Sequence, residues 1–317
     1  MKIKTIFFGS GEFAVPVLDS LIKSEIIDLT AVVTQPDKPV GRRKILTPVP
    51  VRKYIVENNL NIQVYTPHLY RKIQEVILKE QMPELIIVAD YGQLLPEYTI
   101  DYPKYKCLNI HGSLLPDLRG AAPIPLAILN GYEKTGVSIP VMTGGLDNGP
   151  VIAMREAGID PSENAGELKK KLSLVGAALL VEILPAWIEG RLEPMAQDNS
   201  KATIADKSMI EKKRAQIFKA TPGDVAYRMI RAFNPWPVAW GELEVRGTVN
   251  RFKIFSAKLS DLEIQGEEGE IRNWEKKLYL ILKEGVLELG EVQLEGKRKG
   301  GFVEYAYLAS QKAKIVN

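Results

Sequence analysis

Lys4-Thr-Ile-Phe-Phe-Gly-Ser-Gly-Glu-Phe-Ala14 runs from an apolar, β-favouring segment through a glycine-rich break into a helical pattern. A strand that turns sharply into a helix opens a βα unit, and the first half of the chain repeats the theme. Strands are predicted at Lys4–Phe8, Leu29–Thr34, Leu85–Ala89, Cys107–Ile110 and Thr135–Met142. Helices are predicted at Ala14–Lys23, Pro50–Asn58, Tyr70–Glu80, Ile124–Asn130 and Ala165–Glu189. This alternation predicts an α/β, Rossmann-like domain over residues 1–189, with a parallel sheet covered by helices on both faces. Ligands of such sheets lie beyond the C-terminal strand ends, where strand order reverses.

Beyond residue 189 the pattern changes. Residues 190–207 are polar, with Pro194 and Asp198-Asn-Ser200, and read as a linker. One amphipathic helix is expected at Pro222–Phe233. Short glycine-punctuated strands follow at Trp240–Val245, Arg251–Lys258, Leu278–Leu282 and Val286–Glu291. Residues 208–317 therefore read as a small all-β domain of barrel type. Ala232-Phe-Asn-Pro-Trp-Pro-Val-Ala-Trp240, rich in rings and prolines, reads as a rigid hydrophobic seam between helix and barrel.

The chain has 317 residues, 45% hydrophobic and 26% charged, with a net charge of +3, values of an ordinary globular protein. The charge is uneven: residues 201–317 hold 21 Lys and Arg against 16 Asp and Glu. The single cysteine excludes an intrachain disulfide framework and fits a reducing compartment. The apolar run at the start ends after four residues at Gly9, too short for a secretory core. No run approaches the ~20 apolar residues of a membrane span. A cytoplasmic protein without membrane attachment is expected. A monomer is expected too, since no long apolar surface helix stands out.

The densest chemistry lies in Cys107-Leu-Asn-Ile-His-Gly-Ser-Leu-Leu-Pro116, which holds one of only two histidines. Asn109 and His111 are two apart, so an extended chain projects both to one face. An amide donor beside a group that exchanges a proton near neutrality suits carbonyl chemistry that develops an oxyanion. Cys107 lies roughly 13 Å from His111 by strand rise and is no thiolate partner for it. Ser113 lacks a nucleophile elbow. His68 reads as a surface or helix-start residue, and no Cys/His cluster has the spacing of a metal site. Gly144-Gly-Leu-Asp147-Asn-Gly-Pro150 carries one carboxylate between bends. It reads as a turn, unless it lies beside His111, where it would stabilise an imidazolium.

Gly9-Ser-Gly11-Glu-Phe-Ala14 matches a dinucleotide fingerprint. The second strand, however, ends Val33-Thr34-Gln35 without the required acid, so a tight turn explains the glycines. The loop Gln35-Pro-Asp-Lys-Pro-Val-Gly-Arg-Arg-Lys44 leaves a strand end with three consecutive cations, Arg42, Arg43 and Lys44. It is either a solvated face or a phosphate contact. The turn Ala89-Asp-Tyr-Gly-Gln-Leu-Leu-Pro96 either reads a flat heterocycle through backbone groups or is an ordinary βα turn.

Asn109-Ile-His-Gly-Ser-Leu-Leu-Pro116, with Asp147 in Gly-Leu-Asp-Asn-Gly, resembles the signature of the folate-dependent formyltransferases. The Gln35-Pro-Asp-Lys-Pro-Val-Gly-Arg loop, Arg119-Gly-Ala-Ala-Pro-Ile124 and Arg231-Ala-Phe-Asn-Pro-Trp-Pro237 are similar to members whose acceptor is initiator methionyl-tRNA. The likeness extends from residue 3 to about 300. It implies a catalytic trio of Asn109, His111 and Asp147. It implies a 10-formyltetrahydrofolate pocket shaped by Tyr91, Gly92, Gln93, Leu94, Leu95 and Pro96 with Ser113, Leu114, Leu115 and Pro116. It further implies tRNA contact by Arg42, Arg43 and Lys44, and an OB-like second domain that supports the tRNA. No metal is implied. Gly11 stands where the family commonly has proline, and Asp90 where a small apolar residue is usual. Formylation of an amino sugar nucleotide or another small amine, a nucleotide-dependent dehydrogenase and a non-catalytic RNA-binding module are the competing readings.

Overall fold

The computed structural model describes residues 1–41 and 44–317, so the expected tRNA contacts Arg42 and Arg43 lie outside the described residues. The chain forms two compact units. One comprises Met1–Pro123, Lys134–Gly158 and Lys169–Ala205; the other comprises Ile124–Glu133, Ile159–Leu168 and Asp206–Asn317.

The chain opens with β1 (Ile3–Gly9), α1 (Ala14–Lys23), β2 (Ile27–Val33), a hairpin of β3 (Lys38–Val40) and β4 (Ile45–Thr47), and α2 (Pro50–Glu57). It continues through β5 (Gln63–Tyr65), α3 (Gln74–Gln81), β6 (Leu85–Ala89), α4 (Glu97–Asp101) and β7 (Cys107–Asn109). Then come α5 (Pro123–Leu129), β8 (Lys134–Pro140), β9 (Val151–Gly158) and α6 (Ala165–Ile188). Five strands form a parallel sheet in the order β5-β2-β1-β6-β7. Ile6, Phe7 and Phe8 of the central β1 are all fully buried, as expected of a strand covered on both faces. The chain winds outward through β2 and β5, then crosses to β6 and β7. Strand order thus reverses between β1 and β6, whose C-terminal ends flank the candidate site.

One expectation needs correction. The strand read at Thr135–Met142 does not extend the parallel sheet: β8 pairs antiparallel with β9. It meets the β7 region through isolated antiparallel bridges, Leu108 to Val141 and His111 to Ser138. The sequence supplied the alternation, but a two-residue period carries no strand direction. The ten residues after Pro140 close an antiparallel pair, whereas a parallel return needs a crossover of a dozen or more.

Helix α6 also departs from expectation, being long and apolar enough by length and composition to cross a membrane. Leu172, Leu180 and Leu184 lie eight and four residues apart and are fully buried, the pattern of a core helix face. Gly176 continues that face. A Cβ there would sit 2.7 Å from Ile110 Cγ2, so the glycine lets the helix approach the segment leading to His111.

The second unit contains α7 (Gly223–Ala232), β10 (Ala239–Val245), β11 (Thr248–Ile254), β12 (Ala257–Ser260), β13 (Ile271–Trp274), β14 (Lys277–Leu282), β15 (Gly285–Leu289) and β16 (Val292–Leu294). It ends with α8 (Phe302–Tyr305), α9 (Tyr307–Ser310) and β17 (Lys314–Val316). Two antiparallel sheets, β16-β11-β10-β17 and β12-β15-β14-β13, enclose one apolar core that includes Ile217, Phe233, Phe252, Leu280 and Leu287. The single strand expected at Arg251–Lys258 is broken at Phe255-Ser256, and its halves β11 and β12 belong to different sheets. Such a strand turns the corner of a sheet pair.

The aromatic seam forms only in part. Phe233 is fully buried, whereas Trp236 is 51% exposed. Trp240 carries Arg251 over its ring at 4.3 Å. The expected linker also differs from the reading: residues 190–205 belong to the first unit, where Met195 exchanges both backbone bonds with Val151. Its polarity reflects side chains used in hydrogen bonds, not a free connection.

Candidate active site

Beyond the end of β7 the backbone of His111 exchanges hydrogen bonds with Ser138 of β8, at 2.9 and 3.0 Å. Ser138 Oγ in turn donates to Ser113 O at 2.7 Å and accepts from Leu115 N at 2.9 Å. One buried hydroxyl therefore ties the Gly112–Pro116 turn to the neighbouring strand. Ser113 Oγ is itself committed to Asp117 O at 2.6 Å, in keeping with a structural hydroxyl.

Asn109, His111 and Asp147 come together. Asn109 Nδ2 donates to Asp147 Oδ1 at 3.3 Å, and His111 Nδ1 lies 3.7 Å from Asp147 Oδ2. Asp147 Oδ2 also accepts from Gly120 N at 2.8 Å. The His111 ring is 5% exposed and Asp147 17%, so the cluster is sheltered without being sealed. His111 Nε2 lies 3.0 Å from Leu118 O. A carbonyl only accepts, so Nε2 carries a hydrogen in either protonation state, and Nδ1 is the nitrogen left to exchange a proton. Asp147 has φ +46°, a left-handed conformation that Asp tolerates better than most residues. Such backbone strain gathers at functional sites.

The support for Asp147 comes partly from the segment read as a linker. Gln197 Nε2 donates to Asp147 O at 2.8 Å and to Gly149 O at 2.6 Å. Gln197 Oε1 accepts from Arg119 Nε and Nη2 at 3.0 and 2.7 Å, and Arg119 Nη2 reaches Asn199 Oδ1 at 2.7 Å. Arg119 is only 7% exposed. Backbone bonds Arg119 N to Thr203 O and Ala205 N to Arg119 O complete the clasp. Sequence reading missed Gln197 and Asn199. Their one signal was a cluster of polar side chains in a stretch with neither helix nor strand periodicity.

The other expected residues fall around the strand ends. Tyr91 is buried, its ring edge-on to Phe8 with centroids 5.2 Å apart. Gln93 accepts from Tyr70 N at 3.1 Å, Leu95 is buried, and Leu94 at the tip of the turn is 90% exposed. On the other turn Leu115 is buried, and Leu114 and Pro116 are half-buried. Lys44 is exposed at the base of the basic loop, beside β4. His68 is exposed. Cys107 is fully buried, and that burial pushes its thiol far above the ordinary range, leaving an inert filler.

The crevice between β1 and β6 is closed by the protein's own groups. Ser10 N and Gly11 N both donate to Asp90 O, at 3.0 and 3.2 Å. Ser10 Oγ donates to Tyr91 O at 3.1 Å and accepts from Gln35 N at 3.0 Å. A Cβ on Gly11 would lie 1.9 Å from Asp90 Oδ2. The two departures from the family pattern, Gly11 and Asp90, are thus one juxtaposition: the carboxylate occupies the space that a side chain at position 11 would take. With those amides spent and a carboxylate above them, the glycine turn offers nothing to a pyrophosphate, and the dinucleotide reading fails here.

Comparison with known proteins agrees. Residues 1–184 match the formyl transferase family and residues 209–307 match the formyl transferase C-terminal domain. A methionyl-tRNA formyltransferase of Bacillus licheniformis is 42% identical over 93% of this chain and 92% of its own. One from Listeria innocua is 40% identical over the same shares. Among solved structures, an N-formyltransferase from Helicobacter canadensis, in complex with folinic acid and dTDP-3-aminofucose, superposes with a TM-score of 0.66. It is 19% identical and covers 90% of this chain and 98% of its own. HypX from Aquifex aeolicus in complex with tetrahydrofolic acid has a TM-score of 0.65 and 16% identity over 97% of this chain, which spans about half of it (48%). These two likenesses concern the fold alone. With both domain models matched in order and identities near 40% over almost the full length, the chain belongs to the formyl transferase family, among the methionyl-tRNA formyltransferases.

Proposed function

We propose that this enzyme transfers the formyl group of 10-formyltetrahydrofolate to the α-amino group of methionine on initiator methionyl-tRNA, and that Asn109, His111 and Asp147 carry the transfer. The observation that bears most weight is the carboxylate of Asp147, fixed between the Asn109 amide and the His111 ring, in a chain 42% identical to a methionyl-tRNA formyltransferase. Folate supplies the activated formyl carbon. The exposed Leu94, next to a turn made of backbone groups, fits one face of its flat ring.

A primary amide has two N–H donors. One of those on Asn109 is engaged by Asp147, which leaves the other for an oxyanion. A proton on His111 Nδ1 supplies a second donor, and removing either donor typically costs ~10²–10³ in rate. The acceptor α-amino group titrates near ~7.7–8.0, so a useful fraction is neutral without a strong base. Asp147 then takes the proton from the attacking nitrogen and returns it to the departing one, directly or through water. Its bonds to Gly120 N and Asn109 keep it aimed during both transfers. We place the enzyme in the cytoplasm, as a monomer, with the basic stretch of residues 201–317 on the tRNA. The test is transfer from 10-formyltetrahydrofolate to methionyl-tRNA, uncharged tRNA or free methionine. Formylation confined to the charged tRNA is expected, and equal transfer to free methionine would overturn the assignment.

A further inference from the structure

Leu118 lies in the short segment that serves both His111 and Asp147. Its carbonyl oxygen meets His111 Nε2 at 3.0 Å, and two residues on, Gly120 N donates to Asp147 Oδ2 at 2.8 Å. Leu118 is 2% exposed and has φ +55°, a left-handed conformation that a bulky residue keeps only when its surroundings impose it. The residue that imposes it is Thr203. Its Oγ1 accepts from Leu118 N at 2.8 Å, and its backbone oxygen accepts from Arg119 N at 2.9 Å. One residue thus grips the peptide units on both sides of the Leu118 Cα. The same hydroxyl donates to Asp117 Oδ1, which spends its hydrogen and turns a lone pair to Leu118 N. The N–H and C=O of a trans peptide point in opposite directions, so holding Arg119 N from the Thr203 side aims Leu118 O at the imidazole. Thr203 itself is exposed, which leaves these bonds, not packing, as its contribution.

We propose that Thr203 is a positioning residue for formyl transfer: by bracketing Leu118 it keeps that carbonyl on His111 Nε2, and so keeps Nδ1 free to exchange a proton opposite Asp147. The inference rests on the assignment of His111 to the transfer and adds the group that orients it. A neutral imidazole has one hydrogen and here two acceptors, Leu118 O on Nε2 and the Asp147 carboxylate 3.7 Å from Nδ1. A charged acceptor makes the stronger bond at equal reach, so the closer approach of Leu118 O is what holds the hydrogen on Nε2. Once that carbonyl swings away, the hydrogen passes to Nδ1 and points at Asp147. Nδ1 then has no lone pair with which to take a proton.

The experiment compares Thr203→Val, which keeps the shape but sets a methyl group against Leu118 N, with Thr203→Ser, which keeps the hydroxyl. Each is read by initial rates of formyl transfer and by NMR of the imidazole nitrogens, at a pH where both histidines are neutral. The chain has only two histidines, and the exposed His68 is the internal reference. Displacing a reacting group by about 1 Å costs up to ~10²-fold in rate. Thr203→Val should therefore lose kcat by about 10–100-fold, with KM for both substrates within about twofold of wild type, and its His111 should populate the Nδ1-protonated form. Thr203→Ser should hold kcat within about twofold of wild type and keep the Nε2-protonated form. Wild-type His111 signals or wild-type kcat in Thr203→Val overturns the proposal, and so does an equal loss of kcat in Thr203→Ser. His111→Ala is measured alongside. Near-normal turnover there would remove His111 from the transfer, a failure of the underlying assignment that is separate from unchanged ring signals in Thr203→Val.

Discussion

Replacing Gln197 by Glu and, separately, by Ala separates two duties that one amide performs. Its Nε2 donates to Asp147 O and Gly149 O at 2.8 and 2.6 Å, while its Oε1 accepts from Arg119 at 3.0 and 2.7 Å. Glutamate keeps an acceptor for the buried guanidinium but turns an oxygen towards two carbonyl oxygens, so the 144–150 loop loses its anchor. Alanine removes both duties and leaves Arg119 with Asn199 as its remaining side-chain acceptor. An under-satisfied buried charged donor costs about 1–3 kcal/mol, so Gln197→Ala should lose roughly 2 kcal/mol of stability, and Gln197→Glu far less. Loosening Asp147 by about 1 Å costs up to ~10²-fold in rate. Both variants should therefore lose kcat by about 10–100-fold, with KM for either substrate within about twofold of wild type. Initial rates of formyl transfer, paired with urea melts of the same preparations, read the two effects independently. Wild-type kcat in Gln197→Glu would refute the positioning argument, because that variant spares the guanidinium and removes only the hold on the loop.

Asp147→Asn keeps the shape of the cluster and removes the proton acceptor, so kcat should fall by at least ~10²-fold while equilibrium folate binding persists; near-normal turnover would dismiss the carboxylate from catalysis. Neutralising Arg42, Arg43 and Lys44 should raise KM for tRNA and flatten its dependence on salt, and an unchanged slope would return the loop to a solvated face. Asp90 keeps solvent contact, yet desolvation at the crowded strand ends, with Glu12 nearby, holds its carboxyl above the ordinary 3.8 in spite of Lys169. The folded chain thus resists its ionisation: stability from this group is full below 3.8 and is lost as pH rises through the folded value. Asp90→Asn should gain in Tm over wild type at pH 7 and not at pH 3, and an equal gain at both would deny the charge any part. Gly11→Ala should be destabilising alone and neutral beside Asp90→Ala, with a coupling of about 1 kcal/mol in the double-mutant cycle.

The central architecture and the clustering of Asn109 with His111 in the candidate site were legible in the sequence because both rest on short-range signals. Apolar runs broken by polar turns located the strands of the parallel sheet, and a two-residue spacing placed Asn109 and His111 on one face. What it missed depends on direction or on distance along the chain. Strand β8 has the same composition whether it runs with β7 or against it. Gln197 and Asn199 lie 78 and 80 residues from the arginine they hold, in a stretch whose polarity reads as solvent exposure until its partners are known. Gly11 and Asp90 were each visible as departures, but only three-dimensional proximity makes them one event.

The first unit does not consist of one continuous run of chain: two excursions, Ile124–Glu133 and Ile159–Leu168, join the unit completed by Asp206–Asn317. Within that second unit Gly166 N bonds to Asn234 O at 3.1 Å, and Tyr227 Oη reaches Pro161 O at 2.7 Å. During synthesis both excursions leave the ribosome well before the residues that receive them, although domains otherwise tend to fold as units in the order of emergence. The first unit must therefore assemble while carrying two segments whose partners do not yet exist. A gene fusion that exchanged the chain beyond residue 207 would leave both excursions facing a foreign core. The two halves are thus bound to evolve together, although each has a hydrophobic core of its own.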